Sequence, residues 1–421
     1  MANAFSKEER VAFEDLLEGF NDAEVMSRNV SKYQTEDQMM ARTNDVIWLP
    51  KPYIAESFDG MDQSANFGNV TQLSVPATMG YSKSSPWVMD AKELRDALQE
   101  NRLGDAAKQK LASDINVAVL GAACAYGSLV VKRTAAATGY DDVAQCDSLM
   151  NEIGVPQYDR VLALSSRDYN SMAGNLANRQ TMQGKPVTAY ERSNVGMVSG
   201  FDTFKLDYPK RLVAAAGGGA ITIDTRSTAT NYYVPKATST AVTGEVSNVD
   251  NRFQTITVSS TTNVAAGDAF RIDGVEAVHL ISKSGTGQSK TFRVVSVTNG
   301  TTMVITPPII SNQGSSKAEA QYKNCVVTPA ASASITWLNT ATAAMNPFWQ
   351  KDAIRLLPGR YAVPTDAGAA ILRGTTESGI EIVMQKQYDI KTMKTYLRVD
   401  TLFGVANLDP EQSGIILFGQ T

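Results

Sequence analysis

Apolar positions near the start of the chain fall on one helical face. Phe13, Leu16, Leu17 and Phe20 recur at i, i+3, i+4 and i+7. That spacing predicts an amphipathic helix over residues 5–28, with Ser6 and Glu9 at capping-box separation. Residues 44–54 read as a strand ended by Pro50 and Pro52. From about Ala55 to Pro86 the pattern turns polar and rich in Gly, Ser and Asn, with one weak alternation at Val70–Val75. An arm this long cannot build its own core, which predicts a loop or hairpin that packs on something else. Helical periodicity then returns. Asp90 can cap a helix over 91–100, and Asp105, after Gly104, a second. Leu111, Ile115, Ala118, Ala122, Ala125 and Leu129 step by fours and threes. They predict one long helix over 105–133, roughly 40 Å at 1.5 Å per residue. The small residues Gly121–Ala125 leave room for a close neighbour, as expected of a helix lying across a sheet.

Residues 141–177 predict a compact α/β unit. Asp141 or Asp142 caps a helix that Gly154 and Pro156 stop, Arg160–Leu164 is a short buried strand, and Ser165 or Ser166 caps the next helix. A polar loop is expected over 178–190. Composition shifts near Ala214, and Gly217–Gly219 reads as a flexible joint. Beyond it, to about Ala341, Thr, Ser, Val and Gly dominate with almost no helical period. Strand candidates recur at 220–225, 253–259, 268–273, 276–282, 290–297 and 302–306, with Asn299–Gly300 as a hairpin turn. This predicts an all-β insertion large enough to fold by itself. Toward the C-terminus, Ile380–Lys386 and Lys394–Asp400 alternate as a pair of strands, and Thr401–Val405 and Gly414–Phe418 add two more.

Composition narrows the function. The 421 residues carry 39 basic and 43 acidic side chains, a formal charge of -4, and no basic stripe of the kind that grips phosphate backbones. Cys124, Cys146 and Cys325 have neither disulfide-framework nor zinc-site spacing. The N-terminus has no basic region followed by an apolar run, so no signal peptide is expected. The uncharged run Ile115–Val131 is short for a membrane span and reads as a core helix. His279 is the single histidine and reads as a strand residue, since catalysis needs a constellation that it cannot supply. Ser284–Thr291 superficially resembles a phosphate loop. It has Ser289 where the second glycine belongs and lies in a β region, so it reads as a hairpin tip. The aromatics Tyr81, Trp87, Trp337, Phe348 and Trp349 lack flanking basic grooves and read as packing anchors. No cofactor, metal or catalytic residue is expected.

Several stretches resemble, in order, the coat proteins of P22-like short-tailed phages. They are Val46–Pro50, Lys110–Asp114 with Gly127–Val130, Val198–Asp202, Asn248–Phe253 and Phe348–Arg355. None is a catalytic motif; their shared order over nearly the whole chain is the specific feature. The resemblance implies an α+β major capsid protein of the Hong Kong 97 type with an inserted β-barrel. Residues 1–32 would be an N-terminal arm and 55–85 an extended loop lying on a neighbouring subunit. A peripheral domain would take 33–54, 86–140 and 371–400, with its spine helix at 105–133. An axial domain would take 141–220, 342–370 and 401–421, and the barrel 221–341. Implied partners are further copies of the chain in hexamers and pentamers, a scaffolding protein, a portal protein and double-stranded DNA enclosed without sequence-specific binding. No membrane is implied; assembly would take place in the host cytoplasm and the product would be the virion shell.

Contacts between subunits would involve Phe13, Leu16, Leu17 and Phe20 on the arm. They would also involve Lys236, Glu245 and Asp250 on a projecting loop over 236–251, the only charged positions there. A terminal arm and a polar loop are costly to order in a lone chain and become favourable when they bury surface on a neighbour. Two other readings compete. A tail or decoration protein would lack the long helix followed by the axial pattern. A hydrolase with a β accessory domain would need a clustered polar site, which the sequence does not offer.

Overall fold

A computed structural model describes residues 7–23, 25–33, 46–52, 54–64, 66–90, 97–178, 192, 195–206, 210–217, 221–224, 233–314, 316–363 and 368–421. The chain forms two compact units, one from Met1–Ile47, Pro76–Ala122 and Ile354–Ala406, the other from Trp48–Val75, Ala123–Ala353 and Asn407–Thr421. Ser6, the loop over 178–190 (all but its first residue) and Gly218–Gly219 lie outside the described residues.

The first unit is built on the strand Lys394–Asn407. It pairs along its length with Tyr81–Asp90, from Lys394↔Asp90 to Phe403↔Tyr81, and on its other edge with Glu381–Asp389. Thr395, Leu397 and Val399 are buried while Tyr396 and Arg398 are exposed, the alternation of a half-buried strand. From Asp400 onward both faces are covered, so Thr401–Val405 continues this strand and is not a separate one. Tyr81–Asp90 falls partly inside the stretch expected to be a polar arm. Its serines hide a strand because the ladder is satisfied by backbone groups. Helix α1 (Lys7–Ala23) packs on the strand Ala370–Thr375. Residues 354–363 and 368–370, expected with the axial segments, run in this unit.

Helix α2 spans Ala97–Tyr126 without interruption, about 45 Å at 1.5 Å per residue. Two helices were expected, broken at Gly104. A glycine within a helix costs only about 1 kcal/mol relative to alanine, and the following turns bury Ala107, Leu111, Ala112 and Ile115. The predicted end at 133 is corrected to Tyr126. Ser128 sends both its N–H and its hydroxyl to the Pro410 carbonyl, and Leu129–Lys132 becomes a parallel strand beside Ser413–Leu417. Val130 and Val131 suit that β environment. Ala125, expected on the buried seam, is exposed. No helix among the described residues is long and apolar enough to cross a membrane.

The second unit holds a six-stranded mixed sheet in the order Leu129–Lys132, Ser413–Leu417, Asn346–Gln350, Arg160–Ser165, Phe201–Leu206, Met197–Val198. Helices α3 (Tyr140–Ile153) and α4 (Ser166–Ala177) bury Val143, Cys146, Met150, Tyr169 and Met172 in one cluster with strand residues Leu162, Phe201 and Phe348. Asp142 anchors the start of α3, accepting from the Thr138 and Gly139 amides and from Arg133. Gly154 ends α3 in the left-handed region at φ 87°. Ser165 caps α4 by accepting from the Asp168 amide.

The insertion is a five-stranded antiparallel sheet in the order Gln254–Thr257, Thr302–Thr306, Gly285–Asn299, Ala269–Val278, Ile335–Trp337. Residues 221–224 close it. Asp224 N–H donates to the Thr257 carbonyl and Ser259 N–H to Thr222, while Ile223 N–H donates to Ala333 and Ile335 N–H to Ile221. The ring encloses Ile223, Ile256, Phe270, Phe292, Val294, Met303 and Ile305. The candidates 268–273 and 276–282 belong to one strand that ends at Val278, and the described residues 221–224 contribute isolated bridges in place of a strand. The turn at Asn299–Gly300 forms without a left-handed residue. The Asn299 side chain accepts from the Thr301 amide, an Asx-turn that does the same work. A short helix α5 (Lys317–Tyr322) lies in the insertion, too brief to show a period in the sequence.

Gly414 is where the sheet of the second unit is tightest. A Cβ there would lie 2.2 Å from the Leu129 carbonyl oxygen and 2.7 Å from the Phe348 ring. Gly414→Ala should therefore cost about 3 kcal/mol, the upper range for overpacking. Gly174→Ala, on α4 with nothing within 4 Å, should be neutral or slightly stabilising. Urea unfolding of the two variants checks this.

Candidate assembly surfaces and a buried polar junction

The projecting loop is a hairpin. Thr238–Thr240 pairs with Val246–Asn248 in register Thr238↔Asn248 to Thr240↔Val246, and every residue of both strands is exposed. Gly244, at φ 87°, allows the turn, and the Ala241 amide donates to the Glu245 carbonyl. With no apolar face of its own, the hairpin is held at its base. Asn251, 2% exposed, accepts from the Tyr233 hydroxyl and the Lys236 amide and donates to the Lys236 and Val249 carbonyls. Lys236 and Glu245 are exposed, and so is Val242 at the tip. Asp250 differs from them. Both its carboxylate oxygens take the Arg252 guanidinium, at 2.8 to 3.2 Å. Arg252 in turn donates to the Asn407 carbonyl and lies over the rings of Tyr126 and Phe253. Asp250 therefore seats the hairpin on its own chain.

The extended segment 51–73 is exposed along most of its length. Phe58, Met61, Phe67 and Val70 face solvent. Its tip is drawn together by Gln63, which donates to the Asp59 and Gly60 carbonyls and accepts from Asn66. Its root is fixed on the insertion. Leu73 is buried with Ile310 and Tyr322, its amide donates to the Tyr322 hydroxyl, and Lys317 reaches the Asn66 carbonyl.

The terminal helix places its four candidates differently. Phe13 and Leu16 are buried within the chain, and Leu17 and Phe13 fill the space that Gly374 leaves beside the Ala370–Thr375 strand. The side chain of Phe20 lies outside the described residues. His279 sits just past the end of its strand. Its Nδ1 accepts from the Ile281 and Ser282 amides, and its ring covers Gly154. Among the described residues no group of His, Cys, Asp and Glu could hold a metal ion. The three thiols are buried, and burial raises each pKa, that of Cys124 to about 11 and that of Cys325 to about 12.

Pattern reading missed the polar junction under the insertion. Lys290 and Glu411 form an ion pair with side chains 3% and 6% exposed. Burial alone would push the carboxyl up and the ammonium down. Glu411 is nonetheless held below the usual carboxylate range by the charges of Lys290 and Lys51, and Glu411 raises Lys290 in return. On the same strand Thr291 donates to the Ser128 carbonyl, and Arg293, fully buried, donates to the Gly267 and Gly127 carbonyls. One signal was available: Lys290 falls in phase with the inward-facing Phe292 and Val294. A charge at a core phase of a strand points to a buried partner.

A family model described as P22 coat protein - gene protein 5 matches residues 1–419. Among solved structures, a protein of Mycobacterium phage Che8 is similar at 8% identity and a TM-score of 0.45, covering 93% of this chain and 90% of that one. The asymmetric unit of bacteriophage PhiM1 mature capsid is similar at 10% identity and a TM-score of 0.40, covering 93% and 86%. The CUS-3 coat protein I-domain is 37% identical, with a TM-score of 0.22, over 30% of this chain and 99% of that one.

Glu411→Gln should destabilise the protein by about 3–5 kcal/mol at neutral pH, because it strands a buried ammonium. Since the folded carboxyl titrates below its unfolded value, its contribution is fully present above about pH 4.5 and is lost as pH falls through the folded pKa. The gap between wild type and variant should therefore narrow in acid. Urea unfolding at pH 7 and pH 4 measures it.

Proposed function

The chain belongs to the P22 coat protein family, and from this premise we propose how it builds its shell. It is a major capsid protein of the Hong Kong 97 type, a structural component of a phage virion that assembles into an icosahedral shell. Assembly proceeds through hexamers and pentamers in the host cytoplasm, guided by a scaffolding protein and started at a portal. The finished shell encloses double-stranded DNA without reading its sequence. The subunit performs no catalysis; its work is done by surfaces.

Two surfaces carry that work. The segment 51–73 presents Phe58, Met61, Phe67 and Val70 to a neighbouring subunit, where burying them offsets the cost of ordering the arm. The hairpin over 236–251 presents Lys236 and Glu245 across a boundary between capsomers. Asp250 contributes indirectly, by seating the hairpin through Arg252. On α1, Phe20 is the arm position proposed to meet a neighbour, with Phe13, Leu16 and Leu17 supporting the helix from within. The observation that carries this reading is the exposed, base-latched hairpin on a chain whose family is built to assemble.

Lys236→Ala with Glu245→Ala tests it. Both side chains are exposed, so the thermal midpoint should stay within about 2 °C of wild type. The yield of closed shells formed with scaffolding protein, counted by electron microscopy, should fall several-fold. A wild-type yield would refute the hairpin's role. Asp250→Ala should instead lower the midpoint itself, because it frees Arg252.

A further inference from the structure

Arg293 is fully buried, yet among the described residues no carboxylate hydrogen-bonds to it. A guanidinium has five N–H donors. Here Nε donates to the Gly267 carbonyl at 2.9 Å, one terminal nitrogen reaches the Gly127 carbonyl at 3.4 Å, and the other meets only the Met345 sulfur at 3.9 Å. A thioether is a weak acceptor, and among the described residues two of the five donors have no hydrogen-bond partner. Asp268 is nearby, but its oxygens are taken by the Ala265 amide and the Asn339 side chain. Burial pushes the pKa of Arg293 down to about 10, so the group stays charged at neutral pH.

The guanidinium lines a cleft of about 280 Å³ beside Cys124, Tyr126 and Gly267. Lys210 and Arg211 line the same cleft, and both are exposed. The short pairing of Arg211–Leu212 with Ala343–Ala344 and the bond from the Met345 amide to the Lys210 carbonyl hold that edge in place. Three cations thus converge on one small opening, the innermost with donors to spare. Cys124 lines the cleft as well, and burial raises its thiol pKa to about 11, so it stays neutral.

We propose that this cleft binds a phosphate oxyanion, with Arg293 as the buried anchor and Lys210 and Arg211 as the rim. The fork of an arginine matches two oxygens of a phosphate, and the two rim cations neutralise the rest. The same chemistry is offered by free inorganic phosphate and by a phosphodiester of nucleic acid. The cleft is too small for a duplex but open to a single phosphate group.

The full-length protein, titrated with inorganic phosphate at ionic strength held constant with chloride, tests the site. Phosphorus NMR should show line broadening of phosphate by wild type, and the thermal midpoint should rise by about 3 °C. A parallel titration with a short oligothymidylate separates the sources: a response to it alone assigns the site to a backbone phosphodiester, and a response to inorganic phosphate assigns it to the free ion. Lys210→Ala with Arg211→Ala leaves Arg293 and its contacts intact, and should weaken either response at least tenfold. Arg271→Ala removes an exposed arginine of the insertion outside the cleft and should leave the response unchanged. No response to either ligand, or an equal response in wild type and the Lys210/Arg211 variant, would overturn the proposal.

Discussion

A charge taken out of water must find its partner at once, and the second unit is arranged around that constraint. The insertion buries Arg252, Lys290 and Arg293, and each points at the segments that carry the six-stranded sheet: the Asn407 carbonyl, Glu411, and the Gly127 carbonyl. Such contacts return little net stability, because the Coulomb gain is largely spent on desolvation. What they impose is position. A shift of the insertion by one residue of strand would part Lys290 from Glu411, Arg252 from the Asn407 carbonyl and Arg293 from the Gly127 carbonyl. Apolar packing, which is non-directional, would tolerate such a slip far better.

The hairpin depends on the same seating. It has no core, and Asn251 and the Asp250–Arg252 pair fix its base. Arg252 is tied to Asn407, so the direction in which the hairpin projects is set by the junction. The extended segment is governed likewise, because Leu73 and Asn66 are held by the short helix of the insertion. The insertion is thus a mount for both extensions. That gives the P22-type coat protein a physical reason to hold the insertion in a fixed position on the six-stranded sheet.

Much of this was legible in the sequence wherever burial is one-sided. Phe13 and Leu16, Leu111 and Ile115, and Thr395, Leu397 and Val399 follow their periods and lie where the periods put them. Capping residues were equally direct, as at Ser165 and Gly154. The reading failed where a backbone partner decides the outcome. Tyr81–Asp90 looks like a polar arm, and Leu129–Lys132 like the end of a helix, until strands more than 280 residues further along pair with them. It also failed for the junction. Nothing local distinguishes Arg293 from a surface arginine, since its burial comes from a different part of the chain.

The place of the last strand has a consequence for synthesis. Ser413–Leu417 lies between Leu129–Lys132 and Asn346–Gln350, and Glu411 closes the junction just before it. The central sheet of the second unit cannot close until residue 417 has left the ribosome. The strands of the insertion, by contrast, are all present once residue 337 has emerged. For the time between, a completed ring waits on an open body, with Lys290 and Arg293 still in water and the mount for both extensions not yet locked. A subunit in that state cannot aim its hairpin, so readiness to join a shell waits for Ser413–Leu417 to take its place in the sheet.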